Sequence, residues 1–526
     1  MLGEDKTKPE GIHIPESLRN YVFAYNGAIY VSKEAEKGSV FANVKNFLFI
    51  AKRKGFTRKK TLDAQDFNRM LGKIKASADT SDDQNVTVGA ARDLFYDAVK
   101  KRASDIHVRV YEHNTQILYR IDGDLEEQKG VFSGKGQVLI NSIYGYLADQ
   151  ADSTYQPRKY QDARIGRAEF LPEGVHGIRI ASGPHDRGVC MVLRLLYEDT
   201  GSLDGSMSHR FESLGYNRFH TRNIMFMRKR PAGIIIISGP TGSGKSTTLK
   251  HALESLHKER PELNILTVED PPEYPMDGVV QMPVTNADSA ETRNAAFSSA
   301  MRSALRSDPD VIMVGEIRDS ESARLAIRAA MTGHQVWTTV HANDAFHIIN
   351  RMADIMVCPE IPKPINILAD STVLVGLVAQ RLLRCLCPHC KRPLLDHQDK
   401  VPKDTLSRLS QAVDLEQYGM DIYIKGEGCS ECGGRGTYGR SVIAETVVPD
   451  PHMLKILREE GVDAGRSYWL KQQGGKTMMS HAVDKITEGI ACPVDVESIV
   501  GPLTMETVFE DGKLEEGEYE QLAINN

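Results

Sequence analysis

Residues 239–247 restrict what this chain can become more than any other stretch. They read GPTGSGKST and hold the whole G-x-x-x-x-G-K-[ST] pattern at Gly239, Gly244, Lys245 and Ser246. An apolar run, GIIIIS at 233–238, precedes them, and helical spacing from Thr247 to Leu256 follows. A strand, a glycine loop and a helix in that order form a phosphate cradle. The glycines let backbone N–H groups curl around an anion, and the helix N-terminus adds partial positive charge. The expected nucleotide contacts are Gly239, Pro240, Thr241, Gly242, Ser243, Gly244, Lys245, Ser246 and Thr247. Lys245 should neutralise the β- and γ-phosphates of ATP, and the Ser246 hydroxyl should ligate Mg²⁺.

Around this loop, four apolar runs alternate with helical segments. The runs are 233–238, 264–270, 310–316 and 335–341, and the helices lie around 247–256, 296–306 and 320–331. Strands alternating with helices predict an α/β fold with a mostly parallel sheet covered on both faces. Ligands then gather at the C-terminal ends of the strands. Hydrolysis needs a carboxylate near the metal and one to orient water. The second run ends in Glu269–Asp270–Pro271–Pro272–Glu273 and the third in Gly315–Glu316–Ile317–Arg318–Asp319. Gly315 stands where many nucleotide hydrolases place Asp, which leaves Glu316 as the acid nearest the metal. The fourth ends in His341, read either as a structural histidine or as a γ-phosphate contact.

The cysteines supply a second pattern. Cys387-x-x-Cys390 and Cys429-x-x-Cys432 are 38 residues apart, spacing suited to a tetrahedral Zn²⁺ held by four thiolates, with an iron–sulfur cluster as the less favoured occupant. Four thiolates with no open position imply a structural metal. Cys385 reads as a bystander, and Cys190, Cys358 and Cys492 as packed. Elsewhere the chain is ordinary for a globular protein, with 41% hydrophobic and 26% charged residues among 526. Its formal charge of −6 argues against a dedicated nucleic-acid binder. The opening MLGEDKTKPEG lacks the apolar core of a secretory signal, and no run reaches the ~20 residues of a spanning helix. A soluble protein is expected, with any membrane association through a partner or surface. The basic stretch from Lys52 to Lys60 reads as a solvated face or a contact for a partner or acidic lipid.

Four boxes, GPTGSGKST, TVEDPPEY, DPDVIMVGEIRD and TGHQVWTTVHAND, together resemble the Walker A, Asp, Walker B and His boxes of the assembly ATPases of type II secretion systems and type IV pili. The upstream segment 103–125, with Asp105, His107, Arg120, Asp122 and Gly123, resembles that family's second N-terminal domain, as do Gln161–Asp162, Arg179 and Arg194. The resemblance covers about 90–500. Pro272 and Ala342 depart from the usual pattern without removing a functional group.

The resemblance implies a RecA-like P-loop ATPase domain over 214–504, including a zinc module at 385–440. A PAS-like α+β domain at 86–202 and a small variable N-terminal domain at 1–85 precede it, with linkers at 77–82 and 203–213 and an acidic tail at 505–526. It implies that Glu273 polarises the attacking water, Glu316 acts on Mg²⁺ through a water, Asp270 supports the metal shell and His341 senses the γ-phosphate. Arg179 and Arg194 would stabilise transition-state charge from the N-terminal side, although either could instead pair with a local carboxylate. Arg318 and Arg324 are weaker candidates. The resemblance further implies a homo-hexamer at the cytoplasmic face of a bacterial inner membrane, moving a platform protein and, through it, pilin-like subunits. The cysteine module favours assembly over retraction, and the short N-terminal region leans the reading toward a pilus of the IVb kind. Two rivals differ in class: a nucleic-acid translocase on a RecA-like core, against which the charge and the Asp and His boxes speak, and a non-hydrolysing nucleotide-gated scaffold.

Overall fold

A computed structural model describes residues 18, 21–25, 28–36, 41–53, 58–62, 88–130, 135–151, 155–198, 207–284, 290–358 and 361–503. The expected linker at 77–82 and the acidic tail at 505–526 lie outside these residues. Two compact units emerge, one of residues 1–94 with 134–147 and one of 95–133 with 148–526. Among the described residues, no helix is long and apolar enough to cross a membrane.

In the first unit, strands β1 (Val22–Tyr25), β2 (Ala28–Ser32) and β3 (Arg58–Leu62) form a three-stranded sheet. Helix α1 (Phe41–Arg53) turns Val44, Phe47 and Ala51 into a small core with Val22, Ile29 and Val31. The spacing of 3 and 4 between those helix residues puts them on one face. Helix α2 spans 88–100, crossing from this unit into the second, and α3 (Gly136–Ser142) belongs to the first.

The second unit holds two large sheets. One is antiparallel throughout, in the order β6-β5-β4-β10-β9-β8-β7. Its strands are β4 (Ala103–Tyr111), β5 (Thr115–Ile121), β6 (Asp124–Glu127), β7 (Gln150–Ala151), β8 (Gln161–Ile165), β9 (Val175–His185) and β10 (Gly188–Tyr197). The alternation of buried and part-exposed residues in β4 and β10 marks a sheet with one covered face.

The other sheet runs β13-β12-β14-β15-β11-β16-β19. Its strands are β11 (Gly233–Ser238), β12 (Ile265–Glu269), β13 (Val280–Pro283), β14 (Val311–Val314), β15 (Gln335–Val340), β16 (Leu374–Leu386) and β19 (Thr437–Val447), while β17 (Arg392–Pro393) and β18 (Tyr423–Ile424) pair separately. Every neighbouring pair is parallel except β16 with β19. All residues of β11, β12, β14 and β15 are buried, as expected of strands covered on both faces. Ile234 and Ile236 pack into one cluster with α7 (Ala290–Leu305) and α8 (Ser320–Met331), while Ile235 and Ile237 pack into the opposite cluster with α6 (Lys245–Glu259). The period-2 alternation of β11 thus builds two cores from one strand.

The reading of 203–213 as linker needs correction beyond residue 206. Met207–Leu214 is a helix, α4, whose Phe211 is 0% exposed and packs edge-on to Tyr216 at 5.9 Å. The polar residues around Phe211 and Leu214 conceal the apolar spacing that docks this helix beside α5 (Arg218–Arg228) in the α6-side core. Residues 203–206 lie outside the described set.

Candidate nucleotide site and metal centre

Because β11, β12, β14 and β15 run parallel, their C-terminal ends come to one edge of the sheet. The loop after β11, Asp270 and Glu273 after β12, Gly315 and Glu316 after β14, and His341 after β15 therefore line one cavity of about 940 Å³. Residues 240–247 line it too, as do Arg179 and Arg194.

The glycine loop is fitted closely. Gly239 has φ 148°, and a Cβ there would lie 2.3 Å from the Gln380 carbonyl oxygen, so only glycine fits. Gly244, at φ 85°, caps the N-terminus of α6. Gln380 holds the loop from the neighbouring strand. Its amide donates to the Ser243 carbonyl oxygen at 2.7 Å, and its Oε1 accepts from the Tyr216 hydroxyl at 2.7 Å and from Thr248 at 3.0 Å. Lys245 donates to the carbonyl oxygens of Gly239 at 2.8 Å and Pro240 at 3.1 Å. Burial lowers its ammonium pKa, against the opposing pull of Glu316 and Glu273.

The carboxylates sit in different settings. Burial disfavours the charged form of Glu316, but Arg318 at 2.8 Å, His341 at 3.3 Å and Lys245 outweigh it and hold its pKa below the usual range. At Gly315, where many nucleotide hydrolases place Asp, a Cβ would lie 3.2 Å from the Val268 carbonyl oxygen of the adjacent strand, a tight fit. Glu269 is buried, which raises its pKa, and accepts from Thr267 at 2.6 Å and Gln281 at 2.9 Å. Asp270 pairs with Arg293 at 3.4 Å.

The two sequence-predicted arginines lie directly opposite each other on β9 and β10. Register extends the row on both sides: Arg120 faces Asp105, Asp105 faces Arg194, Arg194 faces Arg179 and Arg179 faces Arg164. Four guanidinium groups and one carboxylate thus cross one face of the sheet. Like charges directly opposite repel. Asp105 relieves part of this, accepting from Arg194 at 2.9 Å. Burial lowers the Arg194 pKa, but Asp105 and then Glu273 more than offset it. Arg179 pairs with no carboxylate among the described residues. The sheet therefore presents uncompensated positive charge to the cavity. Arg318 lines the cavity, whereas Arg324 pairs with Glu321 on the exposed side of α8.

Arg293 and Gln380 escaped the sequence reading. A glutamine inside the apolar run VGLVAQRLL was a signal for the second; nothing local marks the first.

The four paired cysteines converge. Sγ–Sγ separations are 3.7 Å for Cys387–Cys429, 3.9 Å for Cys390–Cys432 and 3.8 Å for Cys429–Cys432, and all four sulfurs lie within 4.8 Å of one another. A disulfide needs ~2.05 Å. A tetrahedron of Zn–S bonds ~2.3 Å long has edges of about 3.8 Å, so this donor set fits Zn²⁺. Burial raises the Cys432 thiol pKa, but N–H groups of Cys429 and Gly436, at 3.2 Å and 3.1 Å from its sulfur, bring it down to about 6. Cys385 stands outside the cluster, its thiol pushed up to about 11 by burial.

A parallel sheet that gathers a complete phosphate loop, acidic strand ends and a histidine into one cavity defines a P-loop ATPase. Comparison with known proteins carries this further. The family described as "Type II/IV secretion system protein" matches residues 80–508, and the chain belongs to that family. It is 32% identical over 437 residues to the type II secretion system ATPase E of Vibrio cholerae, covering 81% of this chain and 78% of that one. It is 33% identical over 434 residues to the type IV pilus assembly ATPase PilB of Thermus thermophilus, covering 81% of this chain and 44% of that one. Among solved structures, the pilus retraction motor PilT with bound ADP superposes with a TM-score of 0.53 at 25% identity, covering 77% of this chain and 96% of that one.

Proposed function

We propose that this chain is a hexameric ATPase that powers assembly of a type IV pilus or a type II secretion pseudopilus by moving an inner-membrane platform protein. The observation that carries the reading is the cavity itself, where the phosphate loop, Glu273, Glu316, His341 and the arginines of β9 and β10 meet. Glu273 polarises the attacking water. His341 senses the γ-phosphate from its place 3.3 Å from Glu316. Ser246 would hold Mg²⁺ and Glu316 would act on it through a water, with Asp270 supporting that shell. When bound, the ion neutralises phosphate charge. Arg179 and Arg194 answer the charge that develops on the transferring phosphoryl group.

Closing the antiparallel sheet on the nucleotide and releasing it after hydrolysis supplies the mechanical stroke. Passed to the platform, that stroke lifts pilin-like subunits into the filament. The ring works at the cytoplasmic face of the inner membrane, held there by partners. The cysteine centre, which fits Zn²⁺, favours assembly over retraction. The test compares Mg·ATP turnover with the platform's cytoplasmic domain added, with single-stranded DNA added, and with neither, while native mass is measured. Six-copy particles stimulated by the platform domain support the reading. Stimulation by DNA with steep salt dependence would instead make the chain a translocase.

A further inference from the structure

We infer that His176 is a positioning residue for Glu273, resting on the reading of Glu273 as the group that polarises water. His176 lies on β9, in the antiparallel sheet, and its Nε2 is 2.8 Å from the main-chain oxygen of Glu273. A carbonyl oxygen only accepts, so Nε2 carries the proton and donates. The ring also lies beside Tyr274, with centroids 5.9 Å apart and planes inclined by 42°. One side chain of the antiparallel sheet thus grips two successive residues of the loop that bears Glu273.

Further anchors of that loop come from the parallel-sheet side. The Tyr274 oxygen accepts from Gln281 at 2.8 Å, and the Glu273 N–H faces the Glu269 carboxylate. His176 therefore links the aim of Glu273 to the position of β9. The Nδ1 atom of the ring is buried with no partner among the described residues, consistent with a neutral ring that donates through Nε2. Burial lowers its pKa, with the Glu273 carbonyl oxygen opposing and Arg164, Glu198 and Lys250 the nearby charges.

Without the donor, the 273–274 peptide is free to turn and the carboxylate loses its aim. The nucleotide stays held, because the glycine loop and Lys245 do not depend on His176. The loss therefore falls on kcat rather than KM.

The test uses the full chain with His176→Phe, which keeps a ring beside Tyr274 but no donor, and His176→Gln, which restores an N–H donor. Turnover of Mg·ATP, affinity for a non-hydrolysable ATP analogue and thermal midpoint are measured together. The expected result is a kcat about tenfold lower for His176→Phe, the effect of one lost hydrogen bond, with analogue affinity and KM changed less than about twofold and most of the loss recovered by His176→Gln. Parent-like turnover in His176→Phe overturns the inference, as does a Gln variant as slow as the Phe variant. A fall in kcat that tracks a fall in midpoint and a rise in KM does so too, since it marks a structural role. Glu273→Gln, run in parallel, separates the two levels. If it abolishes turnover while His176→Phe does nothing, only this inference fails; if it keeps turnover, the assignment of Glu273 fails and this inference with it.

Discussion

Replacing Gln380 with Leu should loosen the glycine loop without changing any residue that touches phosphate. Gln380 is 0% exposed on β16 and makes three hydrogen bonds, to the Ser243 carbonyl oxygen, the Tyr216 hydroxyl and Thr248. Leu fills nearly the same volume but makes none of them. At about 1 kcal/mol each, the loss is about 3 kcal/mol of stability. Tyr216→Phe removes one of the same bonds and should cost about 1 kcal/mol. The Tyr216–Gln380 bond would then be counted twice, so the double variant should be less destabilised than the sum of the singles by about 1 kcal/mol. The two tryptophans are both buried, Trp337 at 0% exposed in the α6-side cluster and Trp469 at 1% exposed in the opposite one, so urea unfolding followed by their fluorescence reports on both faces of the sheet. Freeing the Ser243 carbonyl should also weaken ATP-analogue binding by about three- to tenfold. Losses that add to within about 0.3 kcal/mol, with analogue affinity unchanged, would refute the view that this network sets the loop.

Two further outcomes are expected. His220 and His481 stack 4.5 Å apart, and burial lowers both pKa values, that of His481 to about 4 with Lys485, Asp484 and Lys476 nearby. The unfolded chain then binds more protons between about pH 4 and 6.5, so stability should be full above about pH 6.5 and fall toward pH 4, by roughly 3 kcal/mol through His481 alone, with His220 adding loss in the same direction. His481→Asn keeps an acceptor for the Ala444 N–H, 3.1 Å from His481 Nδ1, and should flatten that slope in pH-dependent melting. The cysteine centre should hold about one Zn²⁺ per chain. Cys432→Ser should lose the ion and lower the melting midpoint, as elemental analysis beside calorimetry will register; zinc-free parent protein of equal stability would refute a structural metal.

The sequence made legible what is written locally. The glycine loop and the acids at Glu273 and Glu316 each stand out within a few residues, and alternating strands and helices imply the edge where they meet; the cysteines, which gather elsewhere, are marked by their paired spacing. What depends on register or distant pairing stayed hidden. The row Arg120–Asp105–Arg194–Arg179–Arg164 exists because five strands align, and no window of sequence shows it. For the same reason, whether Arg194 would pair locally stayed open until Asp105 appeared beside it at 2.9 Å. The contacts of His176 with Glu273 and of Arg293 with Asp270 join residues whose types give no hint of a partner. Helix α4 was missed because one buried aromatic, Phe211, outweighs its polar neighbours.

The role proposed for Glu273 in this cavity is decided by steady-state Mg·ATP turnover of the parent and of Glu273→Gln, with nucleotide affinity measured on the same samples. A loss of at least about 100-fold in kcat is expected, the usual contribution of a general base, with affinity within about twofold. Turnover surviving in Glu273→Gln at parent-like affinity would contradict it and transfer the role to another acid, Glu316 first.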